Sequence, residues 1–223
     1  MTRRRSIFSA AVIGAALTSL LLSGCATGQS SASAGSDTPV EGGDLVHAVT
    51  AIADGWQQQQ QANNWHKSQV WTQLVETLVY VDDTGEVHPW LAESWEESDD
   101  GLQYTLKLRD DVTFSDGTAL TADVVAKNLE VLGLGDESKG ITRSPIVPGE
   151  FASAEAVDDS TALVTLKSPN RGFIPSLGFF AAGILGESTI NLSLEEQAKL
   201  ENVVGTGPFV FESQVPEREI VLT

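Results

Sequence analysis

The stretch PWLAESWEESDDGLQYTLKLRDDVTFSDGTALTADVVAKN, residues 89–128, constrains the fold more tightly than any other part of the sequence. Between residues 102 and 109, apolar and polar side chains alternate with the period of two that is typical of a strand with one buried face. Asp100-Gly101 comes immediately before this strand and predicts a two-residue hairpin turn. That turn would place Trp95 opposite Leu106 on the same apolar face.

A helix is predicted after a second turn at Asp116-Gly117. Thr121 is a favourable N-cap residue, and Asp123 falls in the first turn, where the helix dipole favours a negative charge. Apolar residues at helical spacing mark the buried face at Val125, Leu129 and Leu132. A hairpin, a turn and a helix on a small sheet are compatible with many folds.

The order of these residues is more specific, because it resembles the signature region of the family 5 extracellular solute-binding proteins, the peptide- and nickel-type receptors of ABC importers. The matching segments are LAESW (91–95), DDG (99–101), LKLR (106–109), Phe114, DG (116–117) and TADV (121–124). Two later segments extend the resemblance in the right order, EAVDDSTALVTLKSPNRGF (155–173) and GTGPF (205–209). The resemblance implies an α/β fold of the type II periplasmic-binding-protein class.

This resemblance also implies a domain organisation. We expect a lipoprotein signal peptide at residues 1–24, a flexible tether at 25–43, the start of lobe one at 44–75, a small inserted α/β domain at 76–202 and a return into lobe one at 203–223. Chains of the resembled family are more than twice this long. We therefore expect an incomplete fold, an N-terminal fragment that contains part of lobe one and the inserted domain but lacks the second lobe.

The first 24 residues have the three parts of a secretory signal, namely Arg3-Arg4-Arg5, an apolar stretch at 7–22 and an exit of small residues. Cys25 follows Leu22-Ser23-Gly24 and is the only cysteine of the chain, which excludes an internal disulfide. This arrangement resembles a bacterial lipobox and implies that Cys25 carries the lipid. The alternatives are a plain signal peptide with an incidental thiol, or an uncleaved anchor.

The charge of the chain is strongly negative, with 13 basic and 31 acidic residues and a formal net charge of −18. Removal of the three arginines of the signal leaves 10 basic residues (13 − 3) and a charge of −21 (10 − 31). Such a surface disfavours nucleic acid and anionic lipid as partners. The acidity is better explained as a means of keeping an extracytoplasmic protein soluble.

An aromatic and amide cluster precedes a helix that the apolar spacing predicts over residues 63–80. A first strand is predicted before it, where residues 44–49 alternate. In the resembled family the segment between these two elements approaches the ligand cleft. The resemblance therefore implies ligand contacts for Asn64, Trp65 and His66. The alternative is that the tryptophans of the cluster fill gaps under the loop.

The sequence offers no catalytic constellation. Pairs of acids such as Asp99-Asp100 are adjacent, and adjacent residues on a strand point to opposite faces rather than to one substrate atom. His47, His66 and His88 lack the close spacing of metal ligands. The glycines of 205–209 are not followed by the Lys-Ser or Lys-Thr of a phosphate loop. We therefore expect no enzyme activity, no metal site and no cofactor.

The function that the resemblance implies is that of a lipid-anchored, extracytoplasmic component of an ABC importer. It would be a monomer that captures oligopeptides or a related small solute for an ABC permease, attached to the cell membrane through the lipid on Cys25. The alternative is a truncated surface lipoprotein that acts as an interaction module, without solute capture.

Overall fold

The computed structural model describes residues 42–49, 55–58 and 65–223. The chain divides into two units, residues 1–46 and 47–223. In the first unit, the described residues 42–46 have no regular secondary structure, and Leu45 and Val46 are exposed. The helices and strands named below all belong to the second unit.

Between residues 65 and 223 the chain forms short helices and antiparallel strands. The α-helices are α1 (Trp65–Leu74), α2 (Ala122–Leu134), α3 (Phe173–Ser176), α4 (Glu187–Ile190) and α5 (Leu194–Gln197). The strands are β1 (Val79–Val81), β2 (Val87–Pro89), β3 (Ala92–Glu97), β4 (Gln103–Leu108), β5 (Phe151–Asp158), β6 (Thr161–Leu166), β7 (Phe211–Val215) and β8 (Glu219–Leu222). None of the described helices combines the length and the apolar character that a membrane span requires.

The central sheet is antiparallel, with the strand order β3-β4-β6-β5. Trp95 pairs with Leu106, so the predicted register of the first hairpin is confirmed. Strands β5 and β6 form a second antiparallel hairpin, with its turn at residues 159–160. On β4 the buried side chains of Tyr104, Leu106 and Leu108 alternate with less buried polar ones, which gives the sheet its apolar face.

The turn of the first hairpin differs from the prediction although its register does not. The loop comprises residues 99–102, because the amide of Ser98 donates to the carbonyl of Gln103 at 2.9 Å. Gly101 alone in this loop has a positive φ, of 69°. Asp100 keeps an ordinary φ while its Oδ1 accepts from the Ser98 hydroxyl at 2.7 Å and from the Leu102 amide at 3.1 Å. These side-chain hydrogen bonds favour the wider loop over a two-residue turn.

Helix α2 agrees with its prediction and covers the apolar face of the sheet. Thr121 is the N-cap, and its hydroxyl accepts from the Val124 amide at 3.4 Å. Val125, Leu129 and Leu132 are completely buried, and α2 packs against β5 and β6. The helix and the sheet share the larger hydrophobic core with the segment 173–184, which confirms that this apolar segment is packed inside the protein.

The helix predicted over residues 63–80 is too long, because α1 ends at Leu74 and β1 begins at Val79. A longer helix would need the carbonyls of the next residues for its own hydrogen bonds. Other segments occupy them instead: the amide of Gly207 donates to Leu74 at 3.0 Å, that of Ile184 to Glu76 at 2.8 Å and that of Ala92 to Leu78 at 2.8 Å.

The predicted strand at residues 44–49 is also wrong, since residues 42–49 are neither helix nor strand. A strand requires a neighbour that pairs with its backbone groups. Each of the eight strands named above pairs only with other members of that set, so the alternating pattern has no partner among the described residues.

A second, smaller hydrophobic core lies beside the first and joins distant parts of the chain. Its buried residues are Trp56, Trp71, Leu74, Val75, Leu185, Ile190, Leu200 and Val203. Phe211, Ile220 and Leu222 of the β7–β8 hairpin pack against it and are partly buried. Residues from the predicted start of lobe one and from the predicted return into lobe one therefore share this core.

Candidate functional site

Three aromatic side chains form a cluster at the start of α1, which we name the aromatic surface: Trp65, which is exposed, and Phe179 and Phe180, which are partly buried. Trp65 is the first residue of α1 and is 67% exposed. Its ring meets Phe179 edge-on with the centroids 5.9 Å apart and meets Phe180 at 5.4 Å. The two phenylalanine rings lie 4.4 Å apart. Aromatic contacts of this kind hold an exposed ring in a defined orientation.

The backbone behind Phe179 and Phe180 is fixed by close packing. The indole Nε1 of Trp71 donates to the carbonyl of Phe180 at 3.0 Å. An added Cβ at Gly178 would lie 2.7 Å from Cγ2 of Val81, and one at Gly183 would lie 2.5 Å from Cγ1 of Val75. The glycines on both sides of the pair therefore allow this segment to press against neighbouring elements, which holds the aromatic surface in place.

The structure describes two of the three predicted ligand residues, Trp65 and His66, and places both at the start of α1. Trp65 belongs to the aromatic surface, and His66 is exposed on the same first turn of α1. Asn64 lies outside the described residues, as does Cys25. Trp56, by contrast, is only 2% exposed and belongs to the smaller core, so gap filling accounts for Trp56 but not for Trp65.

The loop at residues 55–58 is anchored by two buried polar side chains that sequence reasoning missed. Lys67 is 3% exposed, donates from Nζ to the carbonyl of Gly55 and places its ammonium 5.3 Å from the centroid of the Trp56 ring. Gln58 is equally buried and donates to the carbonyl of Gly183. A charged group in this position benefits from the negative face of the indole ring. These contacts attach the loop to α1 and to the segment that carries Phe180.

His47 is a further residue that the fold brings to α1. Its Nε2 lies 2.9 Å from Oε1 of Gln69. No spacing in the sequence pointed to this contact, because the two residues belong to different predicted elements. It places residue 47 beside the helix that begins with Trp65.

The glycines of the 205–209 segment have a packing role. An added Cβ at Gly205 would fall on the carbonyl oxygen of Leu74, and one at Gly207 would fall on that of Gln73. The segment crosses the end of α1 so closely that no side chain fits. The prediction that these glycines serve the backbone rather than a phosphate agrees with this contact.

Many of the acidic residues hold turns together. Five aspartates each accept, through Oδ1, the backbone amide two residues later at 2.9–3.1 Å: Asp82, Asp100, Asp116, Asp136 and Asp158. Hydrogen bonds to the carboxylate lower its pKa. The Ser98 hydroxyl lowers the pKa of Asp100, and the Thr118 hydroxyl lowers that of Asp116. These hydrogen bonds stabilise the five turns in which the aspartates lie.

An open depression on the surface is separate from the aromatic surface. It has a volume of about 580 Å³ and lies between residues 198–201 and the β7–β8 hairpin, with Trp56 among its lining residues. It contains none of the candidate ligand residues. The perturbed carboxyls of Asp100 and Asp116 lie in turns and do not line this depression.

Comparison with known proteins assigns the chain to a family of bacterial extracellular solute-binding proteins. The family model "Bacterial extracellular solute-binding proteins, family 5 Middle" matches residues 86–223. The glutathione-binding protein GsiB of Escherichia coli O1:K1 is 37% identical over 121 residues, which cover 53% of this chain and 22% of GsiB.

Two solved structures show the corresponding likeness in three dimensions. DppA from Helicobacter pylori, a periplasmic binding protein in complex with the peptide STSA, superposes with a TM-score of 0.63 at 27% identity, covering 77% of this chain and 37% of DppA. NikA from Brucella suis, in complex with Fe(III)-EDTA, superposes with a TM-score of 0.59 at 28% identity, covering 70% of this chain and 31% of NikA.

The chain therefore belongs to the family 5 bacterial extracellular solute-binding proteins, and it has part of the mixed α/β, type II periplasmic-binding-protein fold. Its homologues are extracytoplasmic solute-binding proteins of ABC transporters, which are not enzymes. The aligned part of the chain spans about a fifth of the length of the curated relatives that it matches, at 22%.

Proposed function

We propose that this chain provides part of the solute-binding component of an ABC importer, and that the aromatic surface is one of its ligand contacts. The observation that carries this proposal is the exposure of Trp65 on a rigid aromatic base. The Trp65 ring is 67% exposed and is contiguous with Phe179 and Phe180, and a contiguous apolar patch marks a binding site more often than a single exposed side chain does. Aromatic groups of this kind commonly line the sites of small ligands.

The chemistry of the aromatic surface favours an oligopeptide or a related small solute. The rings of Trp65, Phe179 and Phe180 present apolar area and π faces, and His66 adds a polar group on the same turn. Apolar side chains and peptide planes pack well on such rings. The related proteins GsiB and DppA, whose names and complexes refer to glutathione and to a peptide, support this class of ligand.

Capture of a solute in this class depends on closure of two lobes around the ligand. We propose that residues 76–202 are the small inserted domain and that 44–75 and 203–223 belong to lobe one. The smaller core supports contact between the last two segments, through Trp71 and Phe211, and it also includes Leu185, Ile190 and Leu200 from residues 76–202. The second lobe would then come from chain that is not part of this sequence, in keeping with the 31–37% of the solved relatives that is covered.

The remaining parts of the proposal concern attachment and partners. We propose that Cys25 is lipidated, that the protein is a monomer on the outer face of the cell membrane, and that it delivers its solute to an ABC permease. Metabolic labelling with a fatty acid tests the first point: label should enter the chain and should be absent from a Cys25→Ala variant. Label that persists in this variant, or that never enters the chain, contradicts it.

Solute binding itself is tested by calorimetry on the protein that includes the proposed second lobe, with short peptides and with glutathione as the probes. The Trp65→Ala variant should lower the affinity of the peptide bound best by at least about tenfold, since buried tryptophans at binding sites contribute this much or more. Trp90→Ala is the matched control, because Trp90 is also exposed, at 47%, but its ring lies beside Tyr80. Absence of saturable binding to any probe would favour the interaction-module alternative.

A further inference from the structure

The β1–β2 hairpin brings three side chains close together in space: Asp82, Glu86 and His88. Each offers one potential metal ligand atom, and these atoms all lie within 4.8 Å of one another. We propose that this hairpin binds a divalent transition-metal ion such as Zn²⁺. The proposal is independent of peptide binding at the aromatic surface, which lies on other elements.

The hairpin places the three side chains on one face. Tyr80 pairs with His88 and Val81 with Val87, and the amide of Asp82 donates to the carbonyl of Glu86 at 3.0 Å. Residues two apart on a strand point to the same side, so Asp82 lies on the same face as Glu86 and diagonal to His88. The backbone pairing thus brings the ligands together before any ion arrives.

Hydrogen bonds orient the carboxylate of Asp82 towards the imidazole. Its Oδ1 accepts from the Thr84 amide at 2.9 Å, from the Thr84 hydroxyl at 2.7 Å and from the Glu86 amide at 2.9 Å. Its Oδ2 is directed at Nε2 of His88, 2.8 Å away. Fixed outer contacts of this kind orient a metal ligand and raise the affinity of a site.

A small separation of Asp82 and His88 would let an ion take the place of the proton that these two groups share. Neighbouring ligand atoms on a tetrahedral zinc ion lie about 3.4 Å apart, given bonds of about 2.0–2.2 Å. Oδ2 of Asp82 and Nε2 of His88 lie 2.8 Å apart, so they would move apart by about 0.6 Å when the ion binds. Glu86 is exposed, so its carboxylate can rotate towards the ion, whereas the Tyr80 ring stacks on His88 at 6.1 Å with an angle of 29° between the ring planes.

The ligand atoms favour a metal ion of intermediate hardness, such as Zn²⁺, over calcium or magnesium. One imidazole with two carboxylates suits Zn²⁺ and related ions, while Ca²⁺ and Mg²⁺ prefer oxygen ligands alone. Three protein ligands leave one or more positions for water. The side chains are only partly buried, which makes the site accessible to an ion from solution.

Calorimetric titration of the untagged 223-residue chain with ZnCl₂ tests the proposal. We expect saturable binding of one ion, and we expect the His88→Ala and Glu86→Gln variants to lower the affinity by at least about tenfold. His47→Ala is the matched histidine control, because His47 contacts Gln69 and not this hairpin. It should bind zinc as the unchanged chain does.

Two variants at carboxylates complete the test, one in the proposed site and one in a comparable turn elsewhere. Asp82→Asn should lower the affinity, whereas Asp100→Asn, which alters a comparable turn without a histidine, should not. Circular dichroism establishes that each variant is folded, and the absorption spectrum of bound Co²⁺ reports directly on coordination by His88. Zinc binding that is unchanged in His88→Ala, or the absence of saturable binding in the folded chain, overturns the proposal.

Discussion

The indole Nε1 of Trp71 donates a hydrogen bond of 3.0 Å to the carbonyl of Phe180, a residue 109 positions later in the chain. Trp71 is completely buried, so water cannot replace this partner. The contact joins the middle of α1 to the segment that carries two members of the aromatic surface. It thereby couples the smaller core to the proposed ligand contact.

Replacement of Trp71 by Phe should weaken this coupling. The variant leaves the Phe180 carbonyl without its donor and creates a small cavity, and we expect the free energy of unfolding to fall by about 2–4 kcal/mol. Urea unfolding followed by circular dichroism measures the change. Tyr80→Phe, at an exposed position, should change the stability by less than about 0.5 kcal/mol. Equal stability of Trp71→Phe and the unchanged chain would contradict the role of this hydrogen bond.

Gly205 should not tolerate a side chain. In Gly205→Ala the added Cβ would fall on the carbonyl oxygen of Leu74, and either the end of α1 or the 203–209 segment must move. We expect a loss of about 2–3 kcal/mol in the free energy of unfolding.

Gly149→Ala is the matched control for this substitution. The nearest atom to an added Cβ at Gly149 is Nη1 of Arg143, at an ordinary contact distance of 3.6 Å. Thermal unfolding should therefore show a clear drop in the melting temperature for the Gly205 variant and little change for the Gly149 variant. The same melting temperature for both would refute the close approach at α1.

Asn128 should be among the most sensitive polar positions. It is buried, its Nδ2 donates to the carbonyls of Val124 and Leu185 at 2.8 Å, and its Oδ1 accepts from the Leu185 amide at 2.9 Å. Asn128→Ala leaves both backbone groups of Leu185 unsatisfied, which should reduce the free energy of unfolding by about 2–4 kcal/mol. Chemical unfolding measures this, with the exposed Asn191→Ala as the control. A neutral Asn128→Ala would show that α2 does not depend on this bridge.

Acid should remove a contribution of Asp136 to stability. The hydroxyl of Ser138, followed by the ammonium of Lys139, lowers the pKa of Asp136 from 3.8 to about 2. Because the folded pKa is the lower one, the stabilisation is complete above the unfolded pKa and disappears as the pH falls from about 4 to about 2. Its size is small, since this ion pair is substantially accessible to solvent.

The measurement for Asp136 is the free energy of unfolding between pH 2 and pH 6, compared with Asp136→Asn. The unchanged chain should lose more stability than the variant as the pH falls over this window. Asp110→Asn, at another exposed position, serves as the control and should follow the unchanged chain. Parallel pH profiles for Asp136→Asn and the unchanged chain would contradict the assigned hydrogen bonds.

The sequence predicts the elements of the fold where local pattern and tertiary contacts agree. The alternation of residues 102–109 and the cap at Thr121 required no knowledge of the rest of the chain, and β4 and α2 form where they were expected. The spacing of Val70, Leu74 and Leu78 favoured a longer helix, but carbonyl partners from three distant segments end α1 at Leu74. Long-range hydrogen bonds of this kind leave no local pattern in a single sequence.

The candidate site was predictable only in part for a similar reason. Trp65 and His66 could be named from a resemblance, but Phe179 and Phe180 lie more than 110 positions away and read only as part of an apolar segment. The segment Asp82-Asp83-Thr84-Gly85 predicts a turn, but the spacing of the histidines gave no hint that His88 would lie beside Asp82. Contacts between side chains on paired strands depend on a register that the sequence did not reveal here.

The most direct test of the account is the indole NMR spectrum of the protein, with the proposed second lobe included, during titration with the short peptide that binds best in calorimetry. The five tryptophans of residues 1–223 give five indole signals, which single Trp→Phe variants assign. The account predicts that the signal of Trp65 shifts with the occupancy of the peptide, while the signal of Trp90 stays in place. A Trp65 signal that remains unchanged at saturation would contradict the assignment of the aromatic surface as a ligand contact.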